Sequence, residues 1–130
     1  MEDLPVITFN DYLGIEILNY GDGLAECRIE LQNHHLNTGG RVHGGVLSSL
    51  ADCAAGVAVR SVRPAGKRSA TTDLTIAYMR PPQGSSLTAK AEVVHAGKQL
   101  FRVEVSIHSS NKLVARCSAT FMLVEPFRKA

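Results

Sequence analysis

The 130-residue chain is 45% hydrophobic and 20% charged, the balance of an ordinary folded protein rather than a disordered or fibrous one. Its formal net charge is +2, and Lys and Arg are scattered among Asp and Glu without a basic stripe, so nucleic acid is not an expected partner. The three cysteines, Cys27, Cys53 and Cys117, are widely spaced with no C-x-x-C pair, which argues against a disulfide framework or a zinc site and for reduced, packed thiols.

Glu2 and Asp3 stand where a secretory signal would carry positive charge, and no apolar run approaches the length of a membrane span. A cytoplasmic protein without a membrane partner is the expectation. The length suits one domain over residues 1–130. Pro64-Ala65-Gly66 and Pro81-Pro82-Gln83-Gly84 read as turns within it, not as linkers.

In chain order, residues 5–13 read as a short helix. Ile15 to Leu18 and Leu24 to Leu31 then flank Asn19-Tyr20-Gly21-Asp22-Gly23, a strand pair around a Gly-rich turn. From Gly44 to about Val62 there is no proline, and Leu47, Leu50, Ala51, Ala54, Ala55 and Ala58 recur at helical spacing, which predicts one long helix. Its alanine-rich stripe lets a neighbour approach the axis closely. Ser49, Asp52 and Gly56 fall on a different face. After the helix the period drops to two: Leu74, Ile76 and Tyr78 alternate with Asp73, Thr75 and Ala77. Alternating runs follow at Leu87 to Val94, Phe101 to Ile107 and Leu113 to Leu123. The turns between these three are too short for parallel crossovers, so they are predicted to be antiparallel and consecutive. The sum is an α+β domain whose antiparallel sheet wraps around one long central helix, the hotdog arrangement.

The segment with chemistry is Asn37-Thr38-Gly39-Gly40-Arg41-Val42-His43-Gly44-Gly45, with Asp52 nine residues after His43. A Gly-rich loop entering a helix leaves unpaired backbone N–H groups, and the helix dipole adds positive potential there. That combination suits a carbonyl oxygen acquiring negative charge. Asp52 stands among Ala51, Cys53, Ala54, Ala55 and Gly56, a mostly apolar setting in which an ionised carboxylate calls for a reason.

The order of Asn37, Gly40, His43-Gly44-Gly45 and Asp52, followed by the strand Thr71-Thr72-Asp73-Leu74-Thr75-Ile76-Ala77-Tyr78-Met79-Arg80-Pro81, resembles the PaaI-like hotdog thioesterases over almost the whole chain. The resemblance implies an acyl-CoA thioesterase, with coenzyme A as part of the substrate and no cofactor. It implies a homodimer with shared active sites, in which the acid of one subunit faces the loop and helix start of its partner, and a tetramer as a dimer of dimers. It makes Asp52 the nucleophile or the general base, two routes the sequence leaves open. The Gly44 amide then binds the oxyanion, Asn37 orients the water or carboxylate, and His43 shapes and polarises the loop. Thr71 matches a hydroxyl position near the acid, although a shift of one residue would exchange it with Thr72. Gly45 is a substrate contact, and Arg80, Gly97 and Lys98 are expected toward the nucleotide end, where phosphates want positive charge.

Ordinary readings stand beside these. His43 and its glycines suit a tight turn as well as a site. His34 and His35 have no carboxylate or Cys at ligand spacing, so they read as a surface feature of the loop, and no metal is predicted. Arg60, Arg63, Lys67 and Arg68 read as a solvated loop, with a phosphate role second. Tyr78 and Phe101 read as core. The competing functions are a hotdog enoyl-thioester hydratase or dehydratase, whose catalytic His precedes a proline-containing loop unlike this one, and a non-catalytic acyl-CoA binding protein, against which Asn37 and Asp52 together speak. The acyl preference, small aromatic or medium-chain, is not readable.

Overall fold

The computed structural model describes residues 7–125, so Glu2, Asp3 and the first two residues of the predicted N-terminal helix lie outside the described residues. The first helix, α1, spans Phe9–Leu13. Thr8 caps it, its hydroxyl accepting from the Asp11 amide at 3.1 Å while the Asp11 carboxylate accepts from the Thr8 amide at 3.0 Å. Gly14 ends it at φ 72°, a left-handed conformation that glycine adopts without a Cβ clash.

Strands β1 (Glu16–Gly21) and β2 (Leu24–Glu30) form a hairpin closed by Asp22 and Gly23. Both turn residues have positive φ, 53° and 80°, as a tight turn matched to strand twist requires. Along β2, Ala25, Cys27 and Ile29 are buried and alternate with more exposed Glu26, Arg28 and Glu30.

The long helix α2 covers Gly44–Arg60, two residues shorter than predicted. Arg63 precedes Pro64 and is disfavoured in helical conformation, so the chain leaves the helix through Ser61, whose hydroxyl donates to the Ala58 carbonyl at 2.7 Å. The predicted stripe is the buried face: Leu47, Leu50, Ala51, Ala54, Ala55 and Ala58 are each at most 2% exposed. Small side chains there let the sheet close on the helix.

Four strands follow: β3 (Arg68–Tyr78), β4 (Ser86–Ala96), β5 (Leu100–Ser109) and β6 (Lys112–Val124). All pairings are antiparallel, and the six strands run in the order β1-β2-β4-β5-β6-β3. The last three are consecutive neighbours, as predicted. β3 begins five residues before Asp73, because its first half alternates in neither burial nor polarity and owes its extension to pairing with β6. Among the described residues it is also an edge strand, paired on one side only, which explains why most of its residues are exposed. The core lies between α2 and the inward residues of β2, β4, β5 and β6, including Ile29, Leu87, Val103, Ile107 and Phe121. Among the described residues no helix is long and apolar enough to cross a membrane.

Candidate active site

The loop before α2 is tied by its own side chains. Asn37 Oδ1 accepts from the amides of Gly39 at 2.9 Å and Arg41 at 3.1 Å, and the Asn37 amide donates to the Arg41 carbonyl at 2.7 Å. The Asn37 side-chain oxygen is thereby committed to the loop, and its NH2 has no partner among the described residues. The His43 amide donates to the His35 carbonyl at 2.8 Å, anchoring the end of the loop.

His43 is the N-cap of α2, and its Nδ1 accepts from the Gly45 amide at 2.8 Å. This fixes the neutral ring as the Nε2–H tautomer, which leaves Nε2 as an outward donor. The Gly45 N–H is occupied by that bond and the Val46 N–H by the His43 carbonyl at 2.9 Å. The Gly44 N–H accordingly has no partner among the described residues, at the positive end of a seventeen-residue helix. Of the two glycines expected at the substrate, Gly44 is the one with a donor to offer.

Tyr78 was expected in the core, and the structure corrects this: it is 52% exposed, and its hydroxyl donates to the Gly44 carbonyl at 2.8 Å. A Cβ added at Gly44 would come within 3.2 Å of that hydroxyl. The bond clamps the first turn of α2 against the end of β3, and the position of Tyr78 in the strand that matches the family pattern was its available signal. Phe101 is buried, at 2% exposure.

Asp52 is half-buried on α2, away from the apolar stripe as predicted, and forms no ion pair among the described residues. The Thr71 hydroxyl donates to Asp52 Oδ1 at 2.7 Å, whereas that of Thr72 donates to the Thr120 carbonyl at 3.1 Å. The register of β3 against β6 slips between Thr71 and Asp73, a bulge that leaves Thr72 as the extra residue and lets Thr71 face the helix. The choice between the two threonines, open in the sequence, is made by that bulge. Asp52 lies on a cleft of about 410 Å³, shared with Cys53, Gly56, Phe121, Arg60 and Arg68.

Asp52 and Gly44 do not meet. Eight residues of one helix separate them, about 12 Å at 1.5 Å per residue. Gly44 and Asn37 line a different pocket, of about 340 Å³, with Arg41, Met79 and Arg80. Arg80 and Lys98 are also far apart. Arg80 follows the C-terminal end of β3, while the Gly97-Lys98 turn joins β4 to β5 at the opposite end of the sheet, where the Leu123 amide donates to the Gln99 carbonyl at 2.9 Å. Within one chain the two cations cannot hold one phosphate group.

The reading of His34 and His35 as a surface pair needs correction for His35, which is 1% exposed. Its Nδ1 accepts from the Gln32 amide at 2.9 Å and its Nε2 lies 2.9 Å from the Leu13 carbonyl, so a neutral ring with Nε2–H satisfies both and ties α1 to the loop. Among the thiols, the neighbouring Cys53 and burial push Cys27 up, while the neighbouring Cys27 holds Cys53 down. Burial pushes Cys117 up to about 11, with the nearby Asp52 and Glu104 charges adding to it.

Comparison with known proteins agrees with this architecture. A sequence model of the thioesterase superfamily matches residues 39–115. The acyl-coenzyme A thioesterase PaaI of Escherichia coli is 38% identical over 106 residues, covering 79% of this chain and 73% of that one. The medium/long-chain acyl-CoA thioesterase YigI of Salmonella typhimurium is 28% identical over 131 residues, covering 88% and 84%. Among solved structures, the conserved protein PA5202 of Pseudomonas aeruginosa superposes with a TM-score of 0.87 at 33% identity, covering 92% of this chain and 95% of that one. The chain belongs to the thioesterase superfamily, and within it to the PaaI-like hotdog acyl-CoA thioesterases.

Proposed function

We propose that this acyl-CoA thioesterase hydrolyses small aromatic or medium-chain acyl-CoA esters, with Asp52 as nucleophile or general base and the Gly44 amide as oxyanion donor. The observation that carries the reading is a half-buried carboxylate on a cleft, held by the Thr71 hydroxyl at 2.7 Å and free of any ion pair among the described residues. Such a group keeps a lone pair available for attack or proton transfer, and Thr71 fixes its rotamer.

As nucleophile, an Asp52 oxygen adds to the thioester carbonyl carbon, the C–S bond breaks, and coenzyme A leaves as a thiolate that takes its proton from water. Water then cleaves the mixed anhydride. As general base, Asp52 takes a proton from water as its oxygen adds to the carbonyl, and the intermediate collapses by C–S cleavage with that proton passing from Asp52 to the departing sulfur. Either route places negative charge on the carbonyl oxygen, for which the unpartnered Gly44 N–H is the suited donor. Asn37 Nδ2 and the His43 Nε2–H are candidate donors to the same oxygen or to the water.

The roughly 12 Å between Gly44 and Asp52 along α2 supports a site completed by a second copy, the helix start of one subunit meeting the acid of the other. The exposed edge strand β3, which carries Thr71 and Tyr78, is a surface a partner would cover. On this reading Arg80 and Lys98, far apart in one chain, come from different subunits near one substrate. A dimer, or a tetramer as a dimer of dimers, is the proposed assembly.

Two inactive variants test the shared site. Asp52→Asn and Asn37→Ala homo-oligomers are mixed after partial unfolding and refolded together, and thiol release from phenylacetyl-CoA and octanoyl-CoA is followed. Hybrid dimers carry one intact site, so activity returns on mixing. No recovery in hybrids verified by mass spectrometry refutes sharing, and a wild type that releases no thiol from either ester refutes the substrate range.

A further inference from the structure

Three guanidinium groups gather at the end of the Asp52 cleft away from the helix start. Arg60 closes α2, Arg63 sits in the turn that follows, and Arg68 opens β3, yet all three line that cleft over an apolar floor that includes Val57 and Phe121. Some other cations of the chain have acids beside them: Lys67 is 2.6 Å from Glu125, Arg102 is 3.5 Å from Asp73, and Arg28 pairs with Glu30. Among the described residues Arg60, Arg63 and Arg68 have no carboxylate within ion-pair distance, and the one acid lining their cleft is Asp52.

Two of the three are held in place without being neutralised. Arg63 Nη1 donates to the Ser69 hydroxyl at 3.0 Å, and the Arg60 guanidinium lies over the Tyr20 ring, 5.2 Å from its centre. Partial burial pushes the Arg63 pKa down, and the charges of Arg68 and Arg60 push it further the same way. Crowded like charges facing a concave surface are relieved by an anion, and a planar guanidinium matches paired oxygens in a fork. Arg60 stands eight residues beyond Asp52, about 12 Å along the helix, so one bound molecule can have its reacting carbon at Asp52 and a charged end at the arginines.

We infer that Arg60, Arg63 and Arg68 form an anion subsite that receives a negatively charged end of the acyl-CoA, either a phosphate of the coenzyme A part or a carboxylate at the free end of the acyl group. The inference rests on the reading of Asp52 as the reacting carboxylate. The Gly97-Lys98 turn lies at the same end of the sheet as Arg68, since Leu123, which receives Gln99 as its partner, is also paired with Ser69. Lys98 therefore adds to the same positive region.

The test compares wild type with Arg60→Gln, Arg63→Gln, Arg68→Gln and the triple variant on three esters: octanoyl-CoA, octanoyl-dephospho-CoA and suberoyl-CoA, the ω-carboxylated counterpart of the first. KM and kcat are read separately, and calorimetry measures binding of free coenzyme A and free suberate. If a phosphate is the ligand, the triple variant raises KM for octanoyl-CoA at least about tenfold with kcat little changed, and weak wild-type binding of the dephospho ester marks the 3′-phosphate, rather than the diphosphate, as the group held. If the acyl carboxylate is the ligand, wild type favours suberoyl-CoA and the triple variant loses that preference. A folded triple variant with KM within about twofold of wild type on all three esters, and unchanged calorimetric binding, overturns the subsite. Should wild type hydrolyse none of them, the medium-chain part of the proposed substrate range fails, and the binding comparison still decides the arginines. Arg60 and Arg68 are exposed, so their single variants carry the test if loss of Arg63 prevents folding.

Discussion

Thr71→Val removes one hydroxyl and keeps a β-branched side chain of nearly the same shape on an edge strand. The lost bond runs from Thr71 Oγ1 to Asp52 Oδ1 at 2.7 Å, a hydrogen bond to a charged acceptor. Buried bonds of that kind contribute about 1.5–3 kcal/mol, and Thr71 is exposed in the single chain, so about 1–2 kcal/mol is the appropriate range. If the bond orients Asp52 for reaction, the loss falls on kcat and amounts to about five- to thirtyfold. Thr72→Val is the matched control: its hydroxyl serves the Thr120 carbonyl, and activity stays within about twofold. The assay is initial-rate thiol release from octanoyl-CoA for three proteins with the same melting profile. Full activity in Thr71→Val, or a larger loss in Thr72→Val, refutes the assignment of the bulge as the device that supports Asp52.

Gly56→Ala fills space on α2 where an added Cβ meets Phe121 at 3.5 Å, an ordinary contact, so removing an interior glycine stabilises by about 0.5–1 kcal/mol and raises Tm by a few degrees; a lower Tm contradicts this. His35→Ala leaves the buried Leu13 carbonyl and the part-buried Gln32 amide without their partner and empties a buried ring, destabilising by about 2–4 kcal/mol in urea unfolding. A change below about 0.5 kcal/mol contradicts that role. Cys117 has a raised folded-state pKa of about 11 against 9.0, so folding favours its protonated form. Its contribution is complete below pH 9 and is lost as pH rises toward 11, because the unfolded chain releases the proton first. Cys117→Ala therefore flattens the decline of Tm over that window, and an equally steep decline in the variant removes the explanation.

The helix was legible because its burial face is continuous: six apolar positions from Leu47 to Ala58 repeat at one period, and all six are buried. The β4, β5 and β6 strands were legible for the matching reason at period two. The first half of β3 was not, since Arg68-Ser69-Ala70-Thr71-Thr72 is exposed on both faces and is held by ladder bonds to β6 that leave no mark on composition. Asp52 stood out as a charge in a small-residue segment. Its partner depended on a bulge, a backbone irregularity that no side-chain pattern announces. Tyr78 was misread as core because alternation assigns it the side of Leu74 and Ile76, and at the strand end that side opens onto Gly44. The arginines were visible only as a charged loop, because residues 60, 63 and 68 converge through the turn that joins helix to strand.

If Asp52 performs the chemistry, Asp52→Asn is the variant that abolishes it. Asparagine keeps the shape and a hydrogen bond with Thr71 while removing the charge and the basic lone pair. Thiol release is followed on phenylacetyl-CoA, octanoyl-CoA and their chain-length neighbours with circular dichroism confirming the fold. The expected result is a fall of at least about a hundredfold in kcat, with substrate binding retained. A folded Asp52→Asn protein that turns over its esters at the wild-type rate would contradict it.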